Sequence, residues 1–424
     1  MTDSIGVGRA VQAKIYRDGV YGRRPLVPIQ AAELEAAAAR RMTPEARAYV
    51  IGSAGLEETA RANRAAFDRW RIVPRMLKDV SVRDTGVELF GRRYPSPFLT
   101  APVGVLGMVH KEADMAVARA AAAMGVPMIL SNQASYPLER CAVAMGSAAR
   151  WFQLYWSSSD ELVASFVRRA EASGYGAIVV TLDTHMLGWR PRDLDAAYLP
   201  FARGLGIAQY TSDSVFTELV KQRAAQPRGA DQRPTYSAVK ALASMAWAYP
   251  GRFFDNLSSA LPRAAVDTFL DVFSRSNLTW DNLSYLREHT SLPILVKGVL
   301  HPDDATLALS TGVDGIVVSN HGGRQVDGSV AALDALPDVV AAVAGRVPVL
   351  FDSGIRGGAD AFKAIALGAT AVCVGRPYVY GLTLAGQRGV EAVLGHLMAE
   401  FDLTMGLAGC ASLAEITPDT LRAA

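Results

Sequence analysis

Eight short apolar runs, each bounded by turn residues, alternate along this chain with longer stretches of helical period, and no other feature narrows its possible folds so far. The runs are Phe98 to Gly104, Pro127 to Gln133, Trp151 to Trp156, Ala177 to Asp183, Pro293 to Gly298, Gly315 to Asn320, Pro348 to Gly354 and Ala371 to Arg376. Several are apolar on both faces, as in Ile178-Val179-Val180, Ile294-Leu295-Val296 and Ile316-Val317-Val318. Strands buried on both sides read this way, which favours a parallel sheet over an antiparallel sandwich. Helices are predicted over Lys111 to Met124, Asp160 to Ser173, Pro302 to Thr311, Ala331 to Ala344 and Gly357 to Leu367. Gly125, Gly174 and Gly368 follow three of them and supply the left-handed residue that ends a helix without a Cβ penalty. Eight β-then-α units predict an α/β chain folded as a (β/α)8 TIM barrel with right-handed crossovers, a doubly wound open sheet being the alternative.

Two segments lie outside the repeating units. Residues 1–94 form an amino-terminal lead, with helical stretches from Ala31 to Arg41 and Leu56 to Trp70, predicted to cap a barrel spanning 95–424. Residues 185–280 separate the fourth and fifth barrel strands, and connections of that length are usually lids or disordered inserts. Arg223 to Tyr236 is polar and interrupted by proline, so disorder competes there. The remainder carries Phe201, Tyr210, Phe216, Trp247, Phe253 and Phe254, too aromatic for a bare linker, and reads as a partly ordered, lid-like insertion.

Composition excludes several classes. With 50% hydrophobic and 20% charged residues the chain can bury a sizeable core and does not resemble a disordered sequence. Lys plus Arg (43) exceeds Asp plus Glu (41) by two, which leaves no broad footprint for nucleic acid or an anionic membrane, so any anion is held locally. Cys141, Cys373 and Cys410 lack metal-ligand or redox spacing and read as reduced structural thiols, and no metal is expected. Met1 to Val20 carries Asp3, Arg9, Lys14, Arg17 and Asp18, unlike a signal peptide, and no apolar run reaches the ~18 residues of a spanning helix, so a cytoplasmic enzyme is expected.

Polar residues gather at one end of the predicted strands. In order they are Val103-Gly104, Ser131-Asn132-Gln133, Gln153 and Tyr155, Thr181 and Asp183, Lys297, Ser319 to Arg324, Asp352 to Arg356, and Gly375-Arg376. Active sites of such barrels form at the carboxyl ends of the strands, so eight strands feed one rim. The loops after strands seven and eight, Asp352-Ser353-Gly354-Ile355-Arg356-Gly357-Gly358 and Val374-Gly375-Arg376-Pro377, predict a phosphate cup of backbone N–H groups and arginines. Lys297 ends a strand where a cation facing the barrel mouth needs an anionic partner. His321 stands three residues from Arg324, a proton acceptor beside an anion clamp.

Ser319-Asn320-His321-Gly322-Gly323-Arg324-Gln325 resembles the active-site signature of the FMN-dependent 2-hydroxyacid oxidoreductases, and matches run from about Tyr49 to Gly409. The resemblance implies bound FMN. It implies that Pro102, Val103, Gly104, Ser131, Gln153, Thr181 and Ser319 contact the flavin ring, and that Lys297 stabilises the charge that develops on reduction. Asp352 would reach the ribityl chain, and Ser353, Gly354, Ile355, Arg356, Gly375 and Arg376 would line the ribityl and phosphate end. Substrate binding is implied for Tyr49, Arg190 and Arg324 at a carboxylate and for Tyr155 at the hydroxyl. His321 becomes the base and Asp183 its partner. The expected partners are a small 2-hydroxy acid and O2, in a homotetramer or larger homo-oligomer.

Within the family, Gly188-Trp189-Arg190-Pro191-Arg192-Asp193-Leu194, the Gly52 to Glu57 spacing, the extended amino terminus and the long insert look more like lactate 2-monooxygenase than glycolate oxidase. That likeness implies lactate oxidised to acetate, carbon dioxide and water. The alternative outcome is release of the 2-oxo acid and peroxide, on a larger or more polar substrate. Gln133 departs from the apolar or tryptophan residue of those enzymes and predicts a more polar side-chain pocket. A sugar-phosphate or NAD-linked barrel and a catalytically silent binder are the competing classes.

Overall fold

The computed structural model describes residues 6–226 and 235–424. Most of the segment for which disorder competed, residues 227–234, lies outside the described residues; its flanks join the helices Ser214–Ala224 and Tyr236–Ala248. Twelve strands occur among the described residues: β1 (Trp70–Ile72), β2 (Val87–Leu89), β3 (Arg92–Tyr94), β4 (Phe98–Thr100), β5 (Met128–Leu130), β6 (Arg150–Leu154), β7 (Ile178–Thr181), β8 (Ile294–Val299), β9 (Gly315–Val318), β10 (Val349–Phe351), β11 (Ala371–Val374) and β12 (Leu421–Ala423). β4 to β11 close into a parallel eight-stranded barrel, with β11 pairing back to β4. Each barrel strand falls on one of the eight apolar runs. The (β/α)8 reading holds, and the open sheet is excluded.

Side chains alternate across each strand. One set, including Leu99, Ile129, Trp151, Val179, Leu295, Val317 and Leu350, packs within the barrel. The other, including Phe98, Phe152, Ile178, Val180, Val296, Val318 and Phe351, packs outward against the surrounding helices. Helices Ala113–Met124, Asp160–Ala172, Pro302–Ser310, Ala332–Val343 and Gly358–Ala366 lie within the stretches of helical period. The hairpin β2–β3 contributes Val87, Leu89, Phe90 and Tyr94 to the inner cluster, with the Phe90 and Trp151 rings 5.5 Å apart. It plugs the end of the barrel opposite the polar rim.

The amino-terminal segment is fastened to the rim side. Phe67, on the helix Glu58–Asp68, meets Phe351 of β10 edge-on at 6.1 Å, and burying such a ring stabilises by about 1.5–3 kcal/mol. Asn63 and Asn320 exchange two amide hydrogen bonds of 2.7 Å, which ties this helix to the loop after β9. At the far end, Arg83 grips Asp402 through two bonds of 2.8 Å, and the final helix, Arg376–Ala408, kinks at Ala385 and Gly386.

The insertion carries its own aromatic core. Tyr210 packs edge-on against Phe166 of the helix Asp160–Ala172 at 5.0 Å and against Phe269 at 4.8 Å, while Phe201 lies 5.1 Å from Phe269. The Tyr210 hydroxyl donates to Asn132 Oδ1 at 3.0 Å, so this core is anchored to the loop after β5. Trp247 and Phe254 stay exposed. Among the described residues, no helix is long and apolar enough to cross a membrane, and all three cysteines are free and buried.

Candidate active site

The parity that fills the barrel interior also builds the site. Two residues beyond Trp151, Val179, Leu295, Val317 and Leu350 come Gln153, Thr181, Lys297, Ser319 and Asp352, so each continues the inward-facing row at the carboxyl end of its strand. All five are buried. Above them opens a cavity bordered by Tyr49, Pro102, Val103, Gly104, Tyr155, Arg190, Lys297, His321, Arg324, Asp352, Ser353, Gly354, Ile355, Arg356, Gly375 and Arg376. Ser131, Gln153, Thr181, Asp183 and Ser319 stand behind that lining.

His321 sits where β9 gives way to a turn of left-handed residues, with φ of 58°, 65° and 77° at His321, Gly322 and Gly323. A left-handed histidine costs backbone energy, and such strain collects at functional sites. Gly323 is obligatory, because a Cβ there would lie 2.7 Å from the Ala60 backbone nitrogen. The turn is held by Ser319 Oγ, which accepts from the His321 amide at 3.0 Å, and by Ser353 Oγ, which accepts from the Gly322 amide at 3.0 Å. His321 Nδ1 lies 2.7 Å from Asp183 Oδ1, and the Thr184 hydroxyl donates to the same oxygen at 2.9 Å. The acidic partner assigns the Nδ1–H tautomer and leaves Nε2 with a free lone pair.

Charge fixes the resting protonation states. Burial, with Lys297 and Arg190 nearby, holds the imidazole below its ordinary value against the pull of Asp183, so it rests neutral. Burial opposes ionisation of Asp183, yet His321 and Lys297 hold its carboxyl down to about 2. Burial likewise opposes the charge on Lys297, but Asp352 at 3.3 Å and Asp183 at 3.9 Å raise it, and its ammonium donates to Ser319 Oγ at 2.7 Å. Desolvation pushes the Tyr155 phenol up to about 12, which keeps it a donor.

Four arginines border the cavity, and among the described residues Arg190, Arg324, Arg356 and Arg376 have no carboxylate at ion-pair distance. Burial beside Arg190 and Arg376 pushes Arg324 down to about 9. A bound anion would reverse that push. Arg324 donates to the carbonyls of Tyr49 at 2.5 Å and Gly52 at 2.7 Å and lies over the Tyr49 ring at 5.0 Å. Arg190 donates from Nε to the Arg324 carbonyl at 3.1 Å and from Nη2 to Gln325 Oε1 at 2.9 Å. Arg376, expected at the phosphate, turns most of its donors to the carbonyls of Val50, Gly52 and Gly322 and to Ser53 Oγ. It therefore fastens the Tyr49 segment to the His321 turn.

The residues fit FMN. Gln153 Nε2 and Thr181 Oγ1 are buried at the cavity floor without a hydrogen-bond partner, a cost of about 1–3 kcal/mol each that polar ring atoms would remove. Among the described residues, the amides of Gly354, Ile355 and Gly375 meet no acceptor in the chain, and Arg356 borders the same corner, as a phosphate requires. The amides of Arg356, Gly357 and Gly358 are already engaged by Asp360 and Glu400, so these three are closed to a ligand. Among the described residues, no cluster of His, Cys, Asp and Glu is placed to hold a metal ion.

Several contributors escaped the sequence reading. Gln325 donates to the carbonyls of Asp183 at 2.6 Å and Met186 at 2.9 Å while accepting from Arg190, so it sets the guanidinium relative to the histidine's partner. Its place as the last residue of the signature was the available signal. Thr184, Leu187, Phe201 and Phe273 also border the cavity. Phe201 was legible as an aromatic of the insertion, but nothing local points Phe273 at the site.

A family model described as FMN-dependent dehydrogenase matches residues 38–423. An L-lactate oxidase of Lysinibacillus sphaericus is 43% identical over 394 residues, covering 93% of this chain and 92% of that protein. A 4-hydroxymandelate oxidase of Amycolatopsis orientalis is 37% identical over 91% of this chain and 96% of that protein. Among solved structures, mandelate oxidase with (S)-4-hydroxymandelic acid superimposes with a TM-score of 0.76 at 37% identity, covering 93% of this chain and 98% of that one.

Proposed function

This chain belongs to the FMN-dependent dehydrogenase family, and from that premise we propose that it oxidises an L-2-hydroxy acid to the 2-oxo acid with O2 as acceptor. The observation that carries the reading is the His321–Asp183 pair at 2.7 Å, beside a cavity whose four arginines have no carboxylate partner among the described residues.

Arg190 and Arg324 bind the substrate carboxylate, since planar guanidinium matches carboxylate bidentately, and Tyr49 completes that end. Tyr155 hydrogen-bonds the hydroxyl of the substrate. His321 Nε2 receives the proton that the substrate loses, and Asp183 stabilises the imidazolium so formed. Bound FMN would supply the acceptor for the electron pair that leaves C2. Lys297, Gln153, Thr181, Ser131, Ser319, Pro102, Val103 and Gly104 would hold the ring. Asp352, Ser353, Gly354, Ile355, Arg356, Gly375 and Arg376 would hold the ribityl and phosphate end. Leu187, Phe201 and Phe273 border the substrate and keep water away.

Relatives named as oxidases support release of the 2-oxo acid with peroxide. A second reading, the monooxygenase outcome with decarboxylation of the enclosed product, is favoured by the insertion residues over the cavity. The FMN-loaded protein should turn over with stoichiometric peroxide and intact 2-oxo acid. Carbon dioxide in place of peroxide supports the second reading, and no anaerobic bleaching by any 2-hydroxy acid refutes both. The family reading also carries the proposal of a cytoplasmic homotetramer or larger homo-oligomer, which sedimentation of the holoenzyme tests.

A further inference from the structure

Two separate parts of the chain bring up the carboxylate clamp. Arg190 opens the helix Pro191–Asp195 at the start of the insertion, its carbonyl accepting from the Asp193 and Leu194 amides at 3.1 Å and 3.0 Å. Tyr49 belongs to the amino-terminal segment, whose Tyr49 and Gly52 carbonyls hold Arg324. The loop 52–57 stands between the two. Its Ala54 amide donates to the Gly323 carbonyl at 2.9 Å, its Gly55 amide to the Trp189 carbonyl at 2.9 Å, and its Leu56 amide to Asp327 Oδ2 at 2.6 Å.

Glu57 closes this loop. Its backbone is left-handed, with φ of 61° at the start of the helix Glu58–Asp68, a conformation that a residue with a Cβ keeps only where its surroundings enforce it. The carboxylate works on two sides. Oε1 accepts from the Ser53 amide at 3.0 Å, and Oε2 accepts from Arg192 Nη2 at 2.6 Å. The stem of Arg192 runs over Gly52, where a Cβ would lie 3.3 Å from Arg192 Cδ. Among the described residues, Glu57–Arg192 is the one ion pair that joins the amino-terminal segment to the insertion, and neither residue borders the cavity.

We propose that Glu57 is a positioning residue for substrate binding: through Arg192 it holds Arg190 against the Tyr49 and Arg324 side, so the clamp is assembled before the carboxylate arrives. This deepens the proposed function and rests on it. A carboxylate that had to draw two loose elements together would lose binding energy to ordering them, and a clamp held in place beforehand spares that loss. The His321 turn and Asp183 are fixed by other partners, Ser319, Ser353 and Thr184, so the effect falls on affinity and not on proton transfer. Arg192 is half-exposed, solvent screens the pair, and the effect is a factor of about three to five.

The test uses the FMN holoenzyme at fixed ionic strength, as wild type, Glu57→Gln, Arg192→Met and the double variant. An amide has one acceptor where the carboxylate has two, so Glu57→Gln loses the ion pair. Arg192→Met keeps an apolar stem over Gly52 and leaves Glu57 its bond to Ser53. Anaerobic bleaching by whichever of L-lactate, glycolate and 4-hydroxymandelate reduces the wild type fastest gives the dissociation constant and the limiting rate. The visible absorbance change on adding the matching 2-oxo acid to oxidised enzyme gives binding without turnover. Each single variant should bind about three- to fivefold more weakly in both readouts with a limiting rate within about twofold, and the double variant should bind no more weakly than the weaker single one. Unchanged dissociation constants, an equal fall in the limiting rate, or additive losses overturn the inference, while bleaching itself leaves the proposed function standing. Should Glu57→Gln lose its flavin, Arg192→Met alone decides. If none of the three acids bleaches the wild-type flavin, the proposed function falls and this inference with it.

Discussion

Replacing Asp183 with asparagine removes the one negative charge that faces both His321 and, at 3.9 Å, Lys297. In the wild type His321 Nδ1 lies 2.7 Å from Asp183 Oδ1. Burial alone would raise the Asp183 carboxyl, yet His321 and Lys297 hold it at about 2, below the ordinary 3.8. That depression of nearly two units corresponds to about 2–3 kcal/mol by which attraction exceeds desolvation. Part of the attraction exists only when the imidazole is charged, which happens as it takes the substrate proton, so its loss raises the barrier rather than weakening binding. About 10²-fold in rate is the share assignable to this charge. Asparagine can also offer an N–H to Nδ1 and hold the tautomer whose Nε2 is already protonated, which removes the base and extends the loss toward about 10⁴-fold. The assay is anaerobic stopped-flow bleaching of the FMN holoenzyme. Asp183→Asn should bleach about 10²–10⁴-fold more slowly with substrate affinity nearly unchanged, because Arg190 and Arg324 are untouched. Bleaching within about tenfold of wild type would show that the Asp183 charge does not assist the proton transfer.

The proton chemistry also sets a pH limb. His321 works as the neutral base, and burial, then Lys297 and Arg190, keep it below the ordinary imidazole value of 6.5, so bleaching at low substrate should rise with pH through a limb below that value and stay level above it. Asp183→Asn, which removes an influence raising the imidazole, should move the limb lower still; a limb above the ordinary value contradicts the assigned environment. Arg324→Lys keeps the charge but loses the fork, and the substrate dissociation constant from the same traces should rise about 10–100-fold, an unchanged constant excluding the clamp role. Gly323→Ala puts a side chain on a residue with φ of 77° and a Cβ 2.7 Å from the Ala60 nitrogen. Calorimetry should find its melting temperature lower by several degrees, for a cost of about 1–3 kcal/mol or more, and an unshifted transition would show that the turn relaxes freely.

The barrel was legible because its strands are covered on both faces, so each wrote itself as an unbroken apolar run. Their carboxyl ends were legible for the complementary reason: Gln153, Thr181, Lys297, Ser319 and Asp352 are the positions where the inward row stops being apolar. Elements held by distant partners were harder to read. The plug hairpin is visible only once Phe90 meets Trp151, and the helix Pro44–Ile51, which carries Tyr49, shows little amphipathic pattern. The predicted helix from Leu56 to Trp70 shortens to Glu58–Asp68 because Trp70 enters β1, which pairs with β12 at the other end of the chain. The direction of Arg376 is set by carbonyls of residues 50, 52 and 322, which no local pattern could supply. Likewise the approach of Phe273 to the cavity depends on the packing of the whole insertion.

His321, held by Asp183, is proposed to take the proton from a 2-hydroxy acid bound against FMN. Its most direct test is the anaerobic bleaching rate of FMN-loaded His321→Ala beside wild type, with retention of flavin checked by the visible spectrum. The variant should keep its flavin and bleach at least about 10²–10⁴-fold more slowly. Bleaching at the wild-type rate would contradict that role.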